Sequence, residues 1–183
     1  ILDIRGKSGD ARDGAPVRIA VPVLRRIANF DDLDPLAGET DVDVTLVEAG
    51  DVIPADADLI LLPGSKSTIS DLTFLRDQGW DIDIAAHLRR GGMVMGLCGG
   101  YQMLGTKLDD PDGVEGPAGD TLGLGHLRVE TVLAGDKRLT QVTAHANAFD
   151  VPVRGYEIHM GRTGGLDCDR PFLTLDGRPE GAV

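Results

Sequence analysis

The stretch Met93-Val94-Met95-Gly96-Leu97-Cys98-Gly99-Gly100 joins a short apolar run to a cysteine framed by glycines, and an apolar segment through Leu104 follows it. Residues 93–97 read as a strand and the residues after Cys98 as a helix, so the cysteine sits on a G-x-C-x-G turn between them. That is the pattern of a nucleophile elbow, with cysteine where hydrolases place serine. Such a turn is strained, and a glycine two residues to either side lets the backbone cross closely without a Cβ clash. It lifts the side chain off the sheet edge and sets it at a helix N-terminus, where the dipole favours thiolate and draws the thiol pKa below about 8.5. A thiolate can attack an amide carbonyl and form a thioester. The backbone N–H of Gly99 would then face the developing oxyanion.

A second donor is expected from Pro63-Gly64-Ser65. Residues 57–62 are apolar on consecutive positions, as in a strand buried on both faces of a parallel sheet. Open α/β sheets build their sites beyond the carboxyl ends of such strands, which makes the N–H of Gly64 the candidate. On the plainer alternative, Gly64 and Gly99 are turn glycines and Cys98 is a small buried hydrophobe. Two such loops at neighbouring strand ends favour the chemical reading.

Outward from these loops the pattern stays regular. Residues 17–23 and 42–47 read as strands, with Pro22 ending or bending the first. Residues 71–78 and 82–90 read as helices; Ile82, Ala85, Ala86 and Arg89 keep the three-to-four spacing, and Gly91-Gly92 stops the second. Past Gly105 the signal weakens into a Gly/Asp/Pro-rich loop at 109–119. Short alternating segments follow near 127–133, 141–146, 155–159 and 172–175. The alternation predicts an α/β fold, a mostly parallel sheet sandwiched by helices. Residues 1–16 are charged and Gly-rich and are expected to be an interdomain linker, with residues 17–183 forming one domain. The opening without methionine and the close on Gly-Arg-Pro-Glu-Gly-Ala-Val lead us to expect a fragment, incomplete toward its C-terminal end.

Composition narrows the function classes. A chain of 183 residues with 42% hydrophobic and 26% charged residues has the balance of a soluble globular domain. Its net charge of −12 would be repelled by nucleic acid or an anionic membrane. No apolar run approaches the roughly 18 residues of a membrane helix. The two cysteines, Cys98 and Cys168, suggest neither a disulfide framework nor a zinc site, and the expected location is cytoplasmic.

LPGSKSTISDL (residues 62–72) together with GLCGGYQMLG (residues 96–105) resembles the class I glutamine amidotransferase domain of the cobyric acid synthase group, a flavodoxin-like fold. IAVPVLRRIANFDDLDPL (19–36), DPDGVEG (110–116), LGLGHL (122–127) and GYEIHMGRT (155–163) extend the likeness over nearly the whole chain from Val17. The two core strings mark a wider set that includes cobyrinic acid a,c-diamide synthases and cell-wall amidotransferases. Residues 29–32 favour the cobyric acid group within it. The resemblance implies a two-domain enzyme of cobalamin synthesis. Its N-terminal synthetase half would bind ATP and Mg²⁺ and activate corrinoid carboxylates, while its C-terminal half hydrolyses L-glutamine and passes ammonia across. This chain would be the C-terminal half. It contains no G-x-x-x-x-G-K-[ST] loop, so no cofactor is expected within it.

The thiolate also needs a proton donor for the leaving ammonia, usually histidine. His87 reads as an ordinary surface residue, and nothing local raises His126 or His145. On a strand, Glu157 and His159 share a face and could both point at the site. The resemblance, however, implies a base in a later G-T-Y-x-H-G-type segment, which does not occur before Val183. Tyr156, Glu157 and His159 are then expected in the substrate pocket, with Gln102 joining Gly64 and Gly99 among the oxyanion and substrate-binding residues. Arg138 and Arg162 are weak candidates for holding the charged groups of glutamine. Two other readings compete: a non-catalytic amidotransferase-like module, and a cysteine hydrolase built on the same elbow.

Overall fold

The computed structural model describes residues 16–183 except 136, 137 and 148, and leaves aside the side chains of residues 138, 139 and 159. The linker reading of the N-terminal segment falls almost wholly outside the described residues. Strands β1 (Val17–Pro22), β2 (Val42–Val47), β3 (Leu59–Leu62) and β4 (Met93–Gly96) form a parallel sheet in the order β2-β1-β3-β4. In β3, Ile60, Leu61 and Leu62 are all buried, so both of its faces need cover.

On one face Ala20, Ile60 and Leu62 pack against three helices, α2 (Thr68–Asp77), α3 (Trp80–Arg89) and α4 (Gly99–Leu104). Trp80 anchors this layer. It is fully buried, stands edge-on to Phe74 at 5.7 Å between ring centres, and donates its indole N–H to the Asp51 carbonyl at 2.8 Å. On the other face Ile19, Val21 and Leu61 meet Leu33 and Leu36. These come from a 3-10 turn at Phe30–Leu33 and the one-turn helix α1, Asp34–Ala37. Helical cover is therefore deep on one side and slight on the other.

Beyond Gly105 the architecture changes, and the expectation of a mostly parallel sheet needs correction there. Strands β5 (Lys107–Asp110), β6 (Gly119–Leu122), β7 (Val129–Val132) and β10 (Arg162–Gly165) form a mixed sheet, parallel only between β5 and β7. Strands β8 (Arg138–Ala146), β9 (Val151–His159), β11 (Leu173–Leu175) and β12 (Arg178–Glu180) form a wholly antiparallel one, in the order β12-β11-β8-β9. The cause lies in the pattern. In β8, Val142, Ala144 and Ala146 are buried while Thr143 and His145 between them are exposed, and one-sided burial suits antiparallel pairing. The connections are also too short for the helical crossovers that parallel strands need.

The segment read as a loop at 109–119 is tied down. Asp110 accepts the N–H groups of Val114 and Glu115 at 2.7 and 2.9 Å. Glu115 in turn accepts the N–H of Ile69 at 2.9 Å, satisfying a donor in the first turn of α2.

Candidate active site

Strand register builds the site. Leu62 of β3 pairs with Gly96 of β4, and the N–H of Leu97 donates to the Leu62 carbonyl at 2.9 Å. The chains leaving the two strands run side by side, which brings Gly64 to Cys98: a Cβ on Gly64 would lie 3.5 Å from that of Cys98. Cys98 links β4 to α4 with φ 49° and ψ −112°, a backbone region that side-chain-bearing residues rarely occupy. The flanking glycines allow the crossing. A Cβ on Gly96 would sit 2.5 Å from the Gly100 carbonyl, and one on Gly100 would sit 2.3 Å from the Leu62 carbonyl oxygen.

Gly99 opens α4, where amides have no partner within the helix. It lies directly against the loop at 63–67, since a Cβ there would be 3.0 Å from the Cβ and N of Ser65 and 3.1 Å from Thr68 Oγ1. The thiol of Cys98, an exposed residue, donates to the Ile158 carbonyl at 3.6 Å. The end of β9 thus reaches the sulfur. Gln102 is buried; its Oε1 accepts the Thr68 hydroxyl at 3.4 Å and its Nε2 donates to the Met160 carbonyl at 2.9 Å. Both ends of its amide are engaged by the protein.

Between α4 and the antiparallel sheet lies a cavity of about 670 Å³, lined by Cys98, Tyr101, Glu157, Arg162, Cys168 and Glu180 among others. Glu157 pairs with Arg178, which also holds Glu180 at 2.9 Å. Tyr156 also lines the cavity and is 68% exposed. His159 closes β9 through its backbone, and its side chain lies outside the described residues, as does that of Arg138. Arg162 does line the cavity.

Two features escaped the sequence reading. Cys168 lies on the same cavity beside Tyr101, whose phenol pKa is raised first by burial and then by that neighbour; seventy positions separate the two cysteines in sequence (168 − 98), and no local signal joins them. The other is Asp71, a carboxylate on the core-facing side of α2 beneath the Gly64 loop. A charge at a buried position of an amphipathic helix is the signal that could have found it. The surface reading of His87 is overturned: its ring is buried against Gly92, with Nε2 2.9 Å from the Met93 carbonyl. His126 and His145 stand elsewhere; burial lowers the pKa of the first, and the second pairs with Asp150 at 3.2 Å. Among the described residues no group of three or more His, Cys, Asp or Glu is placed to hold a metal ion, and no helix is long and apolar enough to cross a membrane.

A cysteine stands between strand and helix with a glycine loop from the next strand beside it, and the sequence around them sets the chain among glutamine amidotransferase domains. Residues 18–183 match the family described as the CobB/CobQ-like glutamine amidotransferase domain, and the chain belongs to that family. Over its whole length it is 62% identical to the cobyric acid synthase of Ruegeria sp. (strain TM1040), and over 95% of its length it is 60% identical to that of Bradyrhizobium diazoefficiens. It spans 37% and 36% of those two relatives. Among solved structures it shares its fold with PurLQS from Thermotoga maritima, at TM-score 0.65 and 21% identity over 92% of this chain and 78% of that one. A structure described as a glutamine amidotransferase matches at TM-score 0.53 and 13% identity, over 88% and 82%.

Proposed function

We propose that this chain hydrolyses L-glutamine, with Cys98 as nucleophile on a strand–turn–helix elbow, and supplies the ammonia for amidation of corrinoid side-chain carboxylates in cobyric acid synthesis. The observation that carries the reading is the contact of Gly64 with Cys98, 3.5 Å between Cβ positions. On this reading the backbone amides of Gly64 and Gly99 are the two oxyanion donors beside the sulfur. The Cys98 thiolate attacks the side-chain carboxamide carbon, forming a C–S bond and an oxyanion that the two amides hold. Collapse breaks the C–N bond; the nitrogen takes a proton and leaves as ammonia. Water then hydrolyses the thioester to glutamate and frees the thiol.

Glu157, Arg162 and Tyr156 border the space in which the rest of glutamine would lie, and Gln102 holds one wall of it through Thr68 and Met160. The family pattern assigns the proton donor to a later histidine segment. A specific observation favours a second candidate, His159, because the strand that ends with it reaches the Cys98 sulfur. Substituting each histidine singly in the full-length protein and following glutamate release separates the two.

The names of the relatives suggest the rest. Residues 17–183 would be the glutaminase domain of a longer cytoplasmic protein whose N-terminal synthetase domain binds ATP, Mg²⁺ and the corrinoid. No phosphate loop occurs in this chain, and no step here passes through ATP. In the full-length protein, Cys98→Ala is expected to abolish glutamine-dependent amidation and leave ammonia-dependent amidation intact. Equal loss with both nitrogen sources would remove the reading.

A further inference from the structure

We propose that Asp71 is a positioning residue for the oxyanion donors: through Ser65 it fixes the spacing between the amides of Gly64 and Gly99 beside Cys98. This rests on the reading of Cys98 as a nucleophile. Asp71 belongs to the row Thr68, Asp71, Leu72 and Leu75, all buried on the inner side of α2. A leucine would suit that row better, since burying a carboxylate costs several kcal/mol in order of magnitude unless it is well paired. The pairing here is one-sided. Oδ2 accepts the Ser65 hydroxyl at 2.6 Å and the Arg26 N–H at 3.2 Å. Oδ1 meets no hydrogen-bond donor among the described residues. Burial pushes the carboxyl pKa up, against the pull of these bonds. So placed, the side chain does little for stability and much for Ser65.

Ser65 is the piece that both donors touch. Its Oγ accepts the Ser67 N–H at 2.9 Å, which closes the turn after Gly64. Its Cβ and N lie where a side chain on Gly99 would have to go, at 3.0 Å. Gly64 itself is stitched to the loop after β1, with Ala28 N–H to the Gly64 carbonyl at 2.9 Å and Lys66 N–H to the Arg26 carbonyl at 2.8 Å. Asp71 holds both strands of that stitch at one end, through Ser65 and Arg26. When the hold is released, the loop can slide along Gly99, and the two amides no longer converge on one oxygen position. A displacement of about 1 Å in such a site can cost about 100-fold in rate.

The test uses the full-length protein and four readouts. Asp71→Leu removes the hold while keeping an apolar fit, so its melting temperature should stay level or rise. Glutamate release should lose about 10- to 100-fold in kcat, less than the roughly 100- to 1,000-fold lost when one oxyanion donor is deleted outright, with little change in KM. Glutamate γ-semialdehyde, which forms a thiohemiacetal at the cysteine, should bind about 10- to 100-fold more weakly. Alkylation of Cys98 by iodoacetamide needs no oxyanion and should keep its rate. Ser65→Ala should reproduce the pattern, and it serves if Asp71→Leu fails to fold. Asp71→Asn, which can still accept from Ser65, should recover most of the loss. A normal kcat in Asp71→Leu or in Ser65→Ala overturns the proposal. So does a loss of kcat that tracks a fallen melting temperature and slowed alkylation. Retention of glutaminase activity by Cys98→Ala would instead overturn the underlying reading.

Discussion

Gln102 donates its side-chain amide to the carbonyl of Met160 across 58 positions of sequence, at 2.9 Å. One partner lies on the helix that begins just after the cysteine, the other just past the end of β9. The same amide accepts from Thr68 at the start of α2. A single buried side chain therefore ties the helical layer of the parallel sheet to the antiparallel sheet, at the point where the two meet around Cys98.

Replacing it should be felt as loosening. Gln102→Leu keeps the bulk but strands the Met160 carbonyl and the Thr68 hydroxyl, and an unmade buried hydrogen bond costs about 1–3 kcal/mol. The denaturant midpoint should fall accordingly, with faster amide exchange around residue 160. An unchanged midpoint would mean that β9 is held by other contacts.

The glycines framing the cysteine make a sharper prediction. Alanine at Gly100 or Gly96 would drive a methyl group to 2.3–2.5 Å from backbone atoms that cannot swing aside. Overpacking of this kind costs about 1–3 kcal/mol or more. Gly119, which has open space around it, is the control. Thermal melts should show a marked drop for the first two substitutions and almost none for Gly119→Ala.

Cys98 is exposed and opens a helix, whereas Cys168 is half-buried on the cavity wall with Tyr101. Iodoacetamide should label Cys98 well before Cys168, as read by peptide mass spectrometry over time. Earlier labelling of Cys168 would count against the assignment of the nucleophile.

Asp167 gives a pH signature. The Arg128 N–H donates to it at 2.7 Å, and the Arg128 and Arg170 guanidinium groups do so at 2.8 and 2.9 Å. The backbone bond first, then the guanidinium of Arg128, draw its pKa from 3.8 down to about 2. A depressed carboxyl pKa contributes stability that is complete above the unfolded value and fades as pH falls through the folded one. Asp167→Asn should therefore be less stable than the parent protein at neutral pH, and the gap should close between about pH 4 and pH 2. Urea midpoints across that range check the sign.

Much of the first half was legible in the sequence. Residues 42–47 and 93–96 fall where the apolar runs ended, and Gly91-Gly92 does close α3. The Cys98 turn and the Gly64 loop could be paired because buried parallel strands advertise both of their faces. The second half was obscure for a physical reason: strands such as β10, Arg-Thr-Gly-Gly, carry no alternation at all and exist through their partner β7. His87 misled because its burial depends on the absence of a side chain at Gly92, a feature of shape that residue type alone does not announce. Asp71 was passed over because spacing identified its helix, while the meaning of a charge on the inner face needs the neighbouring loop in view.

The backbone at position 98, φ 49° and ψ −112°, suits glycine better than any residue with a Cβ, and such a geometry costs about 1–3 kcal/mol. Cys98→Gly should consequently melt higher than the parent chain. A library of variants screened for heat resistance alone would drift toward glycine there. It would discard, as an improvement, the sulfur we propose as the nucleophile.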